Sequence, residues 1–163
     1  MGKLAQAPGC DRSDLKAVHI VSSTVFFGTC LGTTFFKWAV DRSRSVAAIR
    51  VVSERVVLAD WLFTSPAIVV QAVTGVALAR LMGFPLTHGW VAYAIGLYCI
   101  AGLCWLPVVW LQMRMRDLAR DSDSRGMPLA PTYWAYARVW FWLRVPAFLS
   151  LVVVFWLMVA KPG

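Results

Sequence analysis

The sequence predicts an all-α fold, a four-helix transmembrane bundle with the N- and C-termini outside, and three observations carry that prediction. Four apolar stretches, at about 17–39, 56–79, 91–112 and 139–160, divide the chain. Each is close to the roughly 20 residues that cross a hydrocarbon core about 30 Å thick at about 1.5 Å rise per residue. Hydrophobic residues make up 60% of the chain and charged ones 15%, against about a quarter in ordinary soluble domains. Nearly all the arginines lie outside the four stretches. Four such runs in 163 residues leave too little polar chain for a separate soluble domain, so residues 1–163 read as one integral membrane domain.

The first stretch follows a polar segment containing Asp11, Arg12, Asp14 and Lys16. It is about twice the length of a signal-peptide core and lacks a small-residue cleavage site after it, so it is expected to remain as a helix. Met1-Gly2 does not make a myristoylation signal, because Gln6 stands where Ser or Thr is needed. The second, third and fourth stretches enclose Pro66, Pro107 and Pro146, each expected to kink its helix. The third should run on as an amphipathic extension through Arg116, Asp117 and Arg120. Segment 122–131, with Gly126, Pro128 and Pro131, reads as a flexible linker.

Counting cations sets the orientation. The loops after the first and third helices, with their flanks, carry Lys37, Arg42, Arg44, Arg50, Arg55, Arg114, Arg116, Arg120, Arg125 and Arg138. The opposite side has Lys3, Arg12, Lys16, Arg80 and Lys161. Ten against five places loops 40–55 and 117–132 in the cytoplasm and both termini outside. Trp38, Trp61, Trp110, Trp134 and Trp140 fall near the inner interface, Trp90 and Trp156 near the outer, where indoles favour the head-group level. The net charge of +8 therefore suits anionic lipid head groups, and no basic segment interleaved with aromatics suggests nucleic acid.

The four cysteines show no zinc spacing and no CxxC. Cys30, Cys99 and Cys104 lie inside apolar runs, and Cys99 and Cys104, five apart, point to different helix faces. No GxSxG, Walker loop or HExxH is present, so hydrolase and phosphate chemistry have no signature here.

Polar side chains inside the membrane are costly without partners, and two stripes of them stand out. His19, Ser23, Cys30, Thr33 and Lys37 share one face of the first helix, with Gly28 and Gly32 forming a GxxxG beside it. Asp60, Thr64, Ala67, Gln71 and Thr74 share a face of the second, with Gly75 adjacent. Both read as packing faces where helices approach closely. Asp60 and Arg144 lie at similar depth and are expected to pair, with Lys37 and Arg114 as rival partners for Asp60. His19 and His88, at the outer side, are the only good transition-metal ligands. Two imidazoles at one depth could hold a haem iron; the alternatives are a His19 hydrogen-bonded to Gln71 and a solvated His88.

Several strings carry a family resemblance. They are Val18-His19-Ile20 with Phe27-Gly28-Thr29, Val57-Leu58-Ala59-Asp60-Trp61, and Thr74-Gly75. Further along come Cys104-Trp105-Leu106-Pro107-Val108-Val109-Trp110-Leu111 and Phe155-Trp156-Leu157-Met158-Val159-Ala160-Lys161-Pro162. Through them nearly the whole chain resembles a family of small bacterial integral membrane proteins catalogued as a domain of unknown function. More distantly it is similar to the four-helix group of the HemJ-type protoporphyrinogen oxidase and the CopD copper-resistance domain. The early helix-one histidine, the Thr-Gly ending helix two and the last helix finishing in Lys-Pro carry that likeness. It implies haem b at His19, with His88 as the candidate second ligand. The chain has Trp90-Val91-Ala92-Tyr93-Ala94 where that group has a helix-three lysine, and Arg144-Val145-Pro146 where it has Asn-Glu before the proline. The likeness thus carries haem binding further than porphyrinogen oxidation. The resulting expectation is a multi-pass protein of the bacterial inner membrane, a b-cytochrome-like or electron-transfer component. The alternative is a non-enzymatic transporter subunit or a partner in a membrane complex or homo-oligomer.

Overall fold

A computed structural model describes residues 12–161. Residues 1–11, with the myristoylation position and Cys10, lie outside the described residues. Five α-helices follow one another: α1 (Arg12–Ser43), α2 (Val46–Ala59), α3 (Ser65–Leu81), α4 (Gly89–Ser124) and α5 (Pro131–Ala160). A π-helical turn, Asp60–Thr64, joins α2 to α3. The 36 residues Val46–Leu81 thus cross as one continuous helix, giving four helices long and apolar enough to span a membrane. An even number of crossings returns both described ends to the same side, here called the terminal end. The opposite end, with the α1–α2 turn and the α4–α5 loop, is the basic end.

The largest departures from the expected helix bounds lie at the basic end. Segment 40–55 was expected as a loop, but only Arg44 and Ser45 interrupt the helices there. Ser45 caps α2, its Oγ accepting from the backbone N–H of Ala48 at 3.5 Å. Arg50 reaches one turn on to Glu54 and across to Asp123, 2.7 Å away on α4. The extension of the third helix expected through Arg120 is present and runs on to Ser124, into the segment expected as a linker, and α5 starts at Pro131, well before residue 139. At about 1.5 Å per residue, a 36-residue helix is about 54 Å long, well beyond a core of about 30 Å. Charged, amphipathic turns dilute the hydropathy of these extensions without breaking the helix.

Both remaining turns end in glycine for a physical reason. Gly83 (φ 75°) and Gly126 (φ 63°) adopt the left-handed conformation that closes α3 and α4. Gly83 N–H donates to Arg80 O and Phe84 N–H to Ala79 O; Gly126 and Met127 repeat the pattern on Asp123 and Ser122. Each pair satisfies carbonyls that a helix end leaves open.

Pro66 was expected to kink its helix. It sits instead in the first turn of α3, directly after the π turn. The wider turn hands the Ser65 N–H to Asp60 O, and Ser65 Oγ donates to the same carbonyl at 2.9 Å. Around Pro107 and Pro146 the chain stays α-helical.

The helices pack α4 on α5, α1 on α3 and α2 on α4. The tightest core lies toward the basic end and joins Ile49, Val108, Leu111, Met115, Ala119, Tyr133 and Trp140. A second cluster, Phe26, Ala67, Ala101 and Leu151, takes one residue from each spanning helix. Phe27 meets Phe148 and Phe155, so α1 and α5 touch mainly through side chains.

Candidate functional site

The two polar stripes face each other along the α1–α3 seam. Asp60, Thr64, Ala67, Gln71 and Thr74 are all buried, as are Ser23 and Lys37 opposite, while His19, Cys30 and Thr33 are half-buried. His19 was expected on Gln71 but takes Thr74, its Nδ1 lying 2.7 Å from Thr74 Oγ1. Gln71 is occupied one turn deeper, where its Nε2 donates to Ser23 Oγ and its Oε1 lies 3.1 Å from Ser22 Oγ. Helical rise explains the exchange. Thr74 lies nearest the terminal end, beside the first turns of α1, and Gln71 meets the serines below.

The Thr74 contact fixes the imidazole. Thr74 has one hydroxyl proton, and it goes to Val70 O at 2.6 Å. With the proton so placed, the oxygen accepts from His19, and the neutral ring is assigned as the Nδ1–H tautomer with its lone pair on Nε2. Gly75 makes room for this. A Cβ at Gly75 would come within 3.3 Å of His19 Cε1. Thr74-Gly75 is thus a seat for the histidine.

Deeper in the membrane, the expected Asp60–Arg144 pair does not form: no ion pair among the described residues joins them. Asp60, 2% exposed, accepts from Thr64 Oγ1 at 2.8 Å, one turn along its own helix. Arg144 lies over the Trp140 ring, 4.5 Å from its centroid, and donates to Thr33 at 3.3 Å. Cys30 lies within electrostatic reach of both. Asp60 Oδ2 and Arg144 Nη1 are buried without a partner among the described residues. Beside Arg144, α1, α4 and α5 line a half-open cavity of about 240 Å³, with Phe26, Cys30, Thr34, Trp105, Arg144 and Phe148 among its walls.

Neither rival cation reaches Asp60. Arg114 is exposed and stacks on Trp110. Lys37, 1% exposed, donates to Asp41 Oδ1 at 2.6 Å and to the hydroxyl of Tyr133. Tyr133 in turn donates to Asp41 at 2.6 Å. This closed triangle bolts α1 to the start of α5. Sequence reasoning missed Asp41 and Tyr133, because both fell outside the expected helices. The signal available was local: Asp41 is one helical turn from Lys37.

His88 precedes α4, exposed, with Nδ1 2.8 Å from Thr87 Oγ1. Neither described cavity is lined by a histidine. Gly28 and Gly32, expected to admit a neighbouring helix, have open space where a Cβ would project. No group of three or more His, Cys, Asp or Glu able to hold a metal ion occurs among the described residues.

Four apolar spanning helices, buried polar seams and outward-facing apolar side chains define a multi-pass integral membrane protein. The family described as "Predicted integral membrane protein (DUF2269)" matches residues 14–162. The chain belongs to that family. No curated protein matches it, and no solved structure does.

Proposed function

We propose that this member of the predicted integral membrane protein family is a haem-binding, b-cytochrome-like component of the bacterial inner membrane, with His19 as an axial ligand. One observation carries the reading: His19 Nδ1 lies 2.7 Å from Thr74 Oγ1, whose own proton has Val70 O as acceptor, and the tautomer assigned from that contact leaves the lone pair on Nε2. Histidines that ligate iron or other metals are commonly oriented this way, by a hydrogen bond from the opposite ring nitrogen. The donor chemistry at His19 therefore fits one axial position. His88 fits the second position less well, because its exposed ring is turned to Thr87. Bound at His19, haem would supply a one-electron iron couple. The chain's own part is to hold the imidazole and exclude water, through Thr74, Gly75 and the Ser22–Ser23–Gln71 cluster beneath. In this reading the basic end faces the cytoplasm, as the cation count favours.

The visible spectrum of protein purified from haem-replete cells tests the proposal. A Soret band that His19→Ala abolishes is the expected result. His88→Ala changes the spin state if His88 is the second ligand and leaves it unchanged if another group serves. A well-folded sample without Soret absorbance removes the cofactor. It would favour the second reading, a non-enzymatic partner in a membrane complex, for which the uncovered Gly28–Gly32 face speaks.

A further inference from the structure

Beside the α1–α3 seam, α1 leaves a groove against α5. At the basic end it opens into a cavity of about 540 Å³, walled by Trp38, Trp134 and Trp142 and carrying Arg42, Arg44 and Arg138. None of the three guanidinium groups has a carboxylate within ion-pair distance among the described residues. Asp41, the one acid in the lining, is already engaged by Lys37 and Tyr133. Two of the arginines are held in place by indoles. Arg42 lies 4.4 Å over Trp38 and Arg44 lies 5.2 Å over Trp134. Arg44 does so from a left-handed backbone (φ 54°), a conformation that costs a non-glycine residue free energy and that fixes where its side chain leaves the turn.

Phe141 lines both this basic cavity and the apolar cavity of about 240 Å³ deeper in the membrane. The two therefore adjoin, charged at the membrane surface and apolar below, with Phe26, Leu31, Phe148 and Leu151 in the deeper part. Arg144, about 9 Å below Arg138 by helical rise, adds an unpartnered donor, Nη1, between the two parts.

We propose that the α1–α5 groove is a binding site for one anionic phospholipid. Its phosphate sits among Arg42, Arg44 and Arg138, and an acyl chain runs past Phe141 into the apolar cavity. Charge complementarity selects this occupant. Guanidinium forks match phosphate oxygens, and basic pockets between spanning helices suit anionic head groups. A zwitterionic lipid would bring a choline cation into a cavity that already holds three positive charges. The site stands independently of haem at His19.

Native mass spectrometry of the delipidated full chain, reloaded with dioleoyl phosphatidylglycerol or dioleoyl phosphatidylcholine, tests it. The expected result is at least about tenfold preferential retention of phosphatidylglycerol. A variant with Arg42, Arg44 and Arg138 all changed to Gln should lose the preference. One with the exposed Arg80, Arg114 and Arg120, none of them ion-paired among the described residues, changed to Gln removes the same charge and should keep it. Changing the three groove arginines to Lys keeps their charge and should retain part of the preference, which separates lipid loss from misfolding. Dihexanoyl phosphatidylglycerol should bind more weakly than the dioleoyl form, and Ala147→Phe, which fills the deeper cavity, should erase that chain-length difference. Equal retention of both lipids by the native protein overturns the proposal. So does equal loss in the groove and control variants, or a second copy of the chain that copurifies and excludes lipid from the groove. An unchanged chain-length difference in Ala147→Phe overturns the acyl placement.

Discussion

The basic end and the terminal half of the bundle use the same helices yet are built differently. Toward the basic end, Ile49, Met115, Ala119 and Tyr133 are sealed from any solvent, and ion pairs such as Arg50–Asp123 stitch helix to helix. In the terminal half the buried apolar set shrinks to clusters such as Ala94, Val154 and Leu157, while Tyr93, Leu103, Trp156 and Val159 face outward. The contrast follows from two solvents. Water expels apolar side chains and drives a close core where the helices leave the membrane. Lipid is as apolar as leucine, so in the hydrocarbon only small residues, packing and hydrogen bonds draw helices together. That is why the terminal half is held by His19–Thr74 and Gln71–Ser23 instead of a sealed apolar core.

The largest expected effect lies at the basic end. Asp41→Asn leaves the Lys37 ammonium buried beside a phenol with no counter-charge, which should cost about 3–5 kcal/mol in reversible unfolding from mixed micelles. Tyr133→Phe should cost less, about 1.5–3 kcal/mol, since the ion pair survives it. Next comes a paired comparison across the two regions. Met115→Ala should destabilise by about 2–5 kcal/mol, whereas Leu103→Ala, already facing lipid, should stay within about 0.5 kcal/mol. Similar losses at the two sites would break the two-solvent account. The smallest effect is expected from a double-mutant cycle of Asp60→Asn and Arg144→Gln. Without a direct contact the coupling should fall below about 0.5 kcal/mol. A larger value would mean that the two charges meet in the bilayer through a rotation of either side chain.

Hydropathy made the four crossings legible, because each apolar run has to match one thickness. The polar stripes were legible too, since a helix repeats its face every three or four residues. What escaped were details that depend on phase and on distant partners. Nothing local to His19 distinguishes Thr74 from Gln71; the choice is settled by how far α3 slides along α1. Tyr133 lies 92 positions from Asp41, so no window of sequence joins them. The part of α2 before residue 56 was hidden because its arginines and glutamate resemble a loop to a hydropathy count. Its Ser45 cap and its Arg50–Glu54 spacing were the readable signs.

The π turn at Asp60–Thr64 bears on how this chain can vary over generations. A π turn holds one residue more than α-helical phase allows, which rotates everything before it by about 100° relative to everything after it. On one side of it, α2 turns Ile49 and Ser53 inward toward α4; on the other, α3 turns Gln71 and Thr74 inward toward α1. Substitutions within Asp60–Thr64 alter a side chain and leave that arrangement standing. Loss of a single codon there would restore an unbroken α-helix and swing one of the two faces out of register with its partner. The segment should therefore admit changes of letter more readily than changes of length.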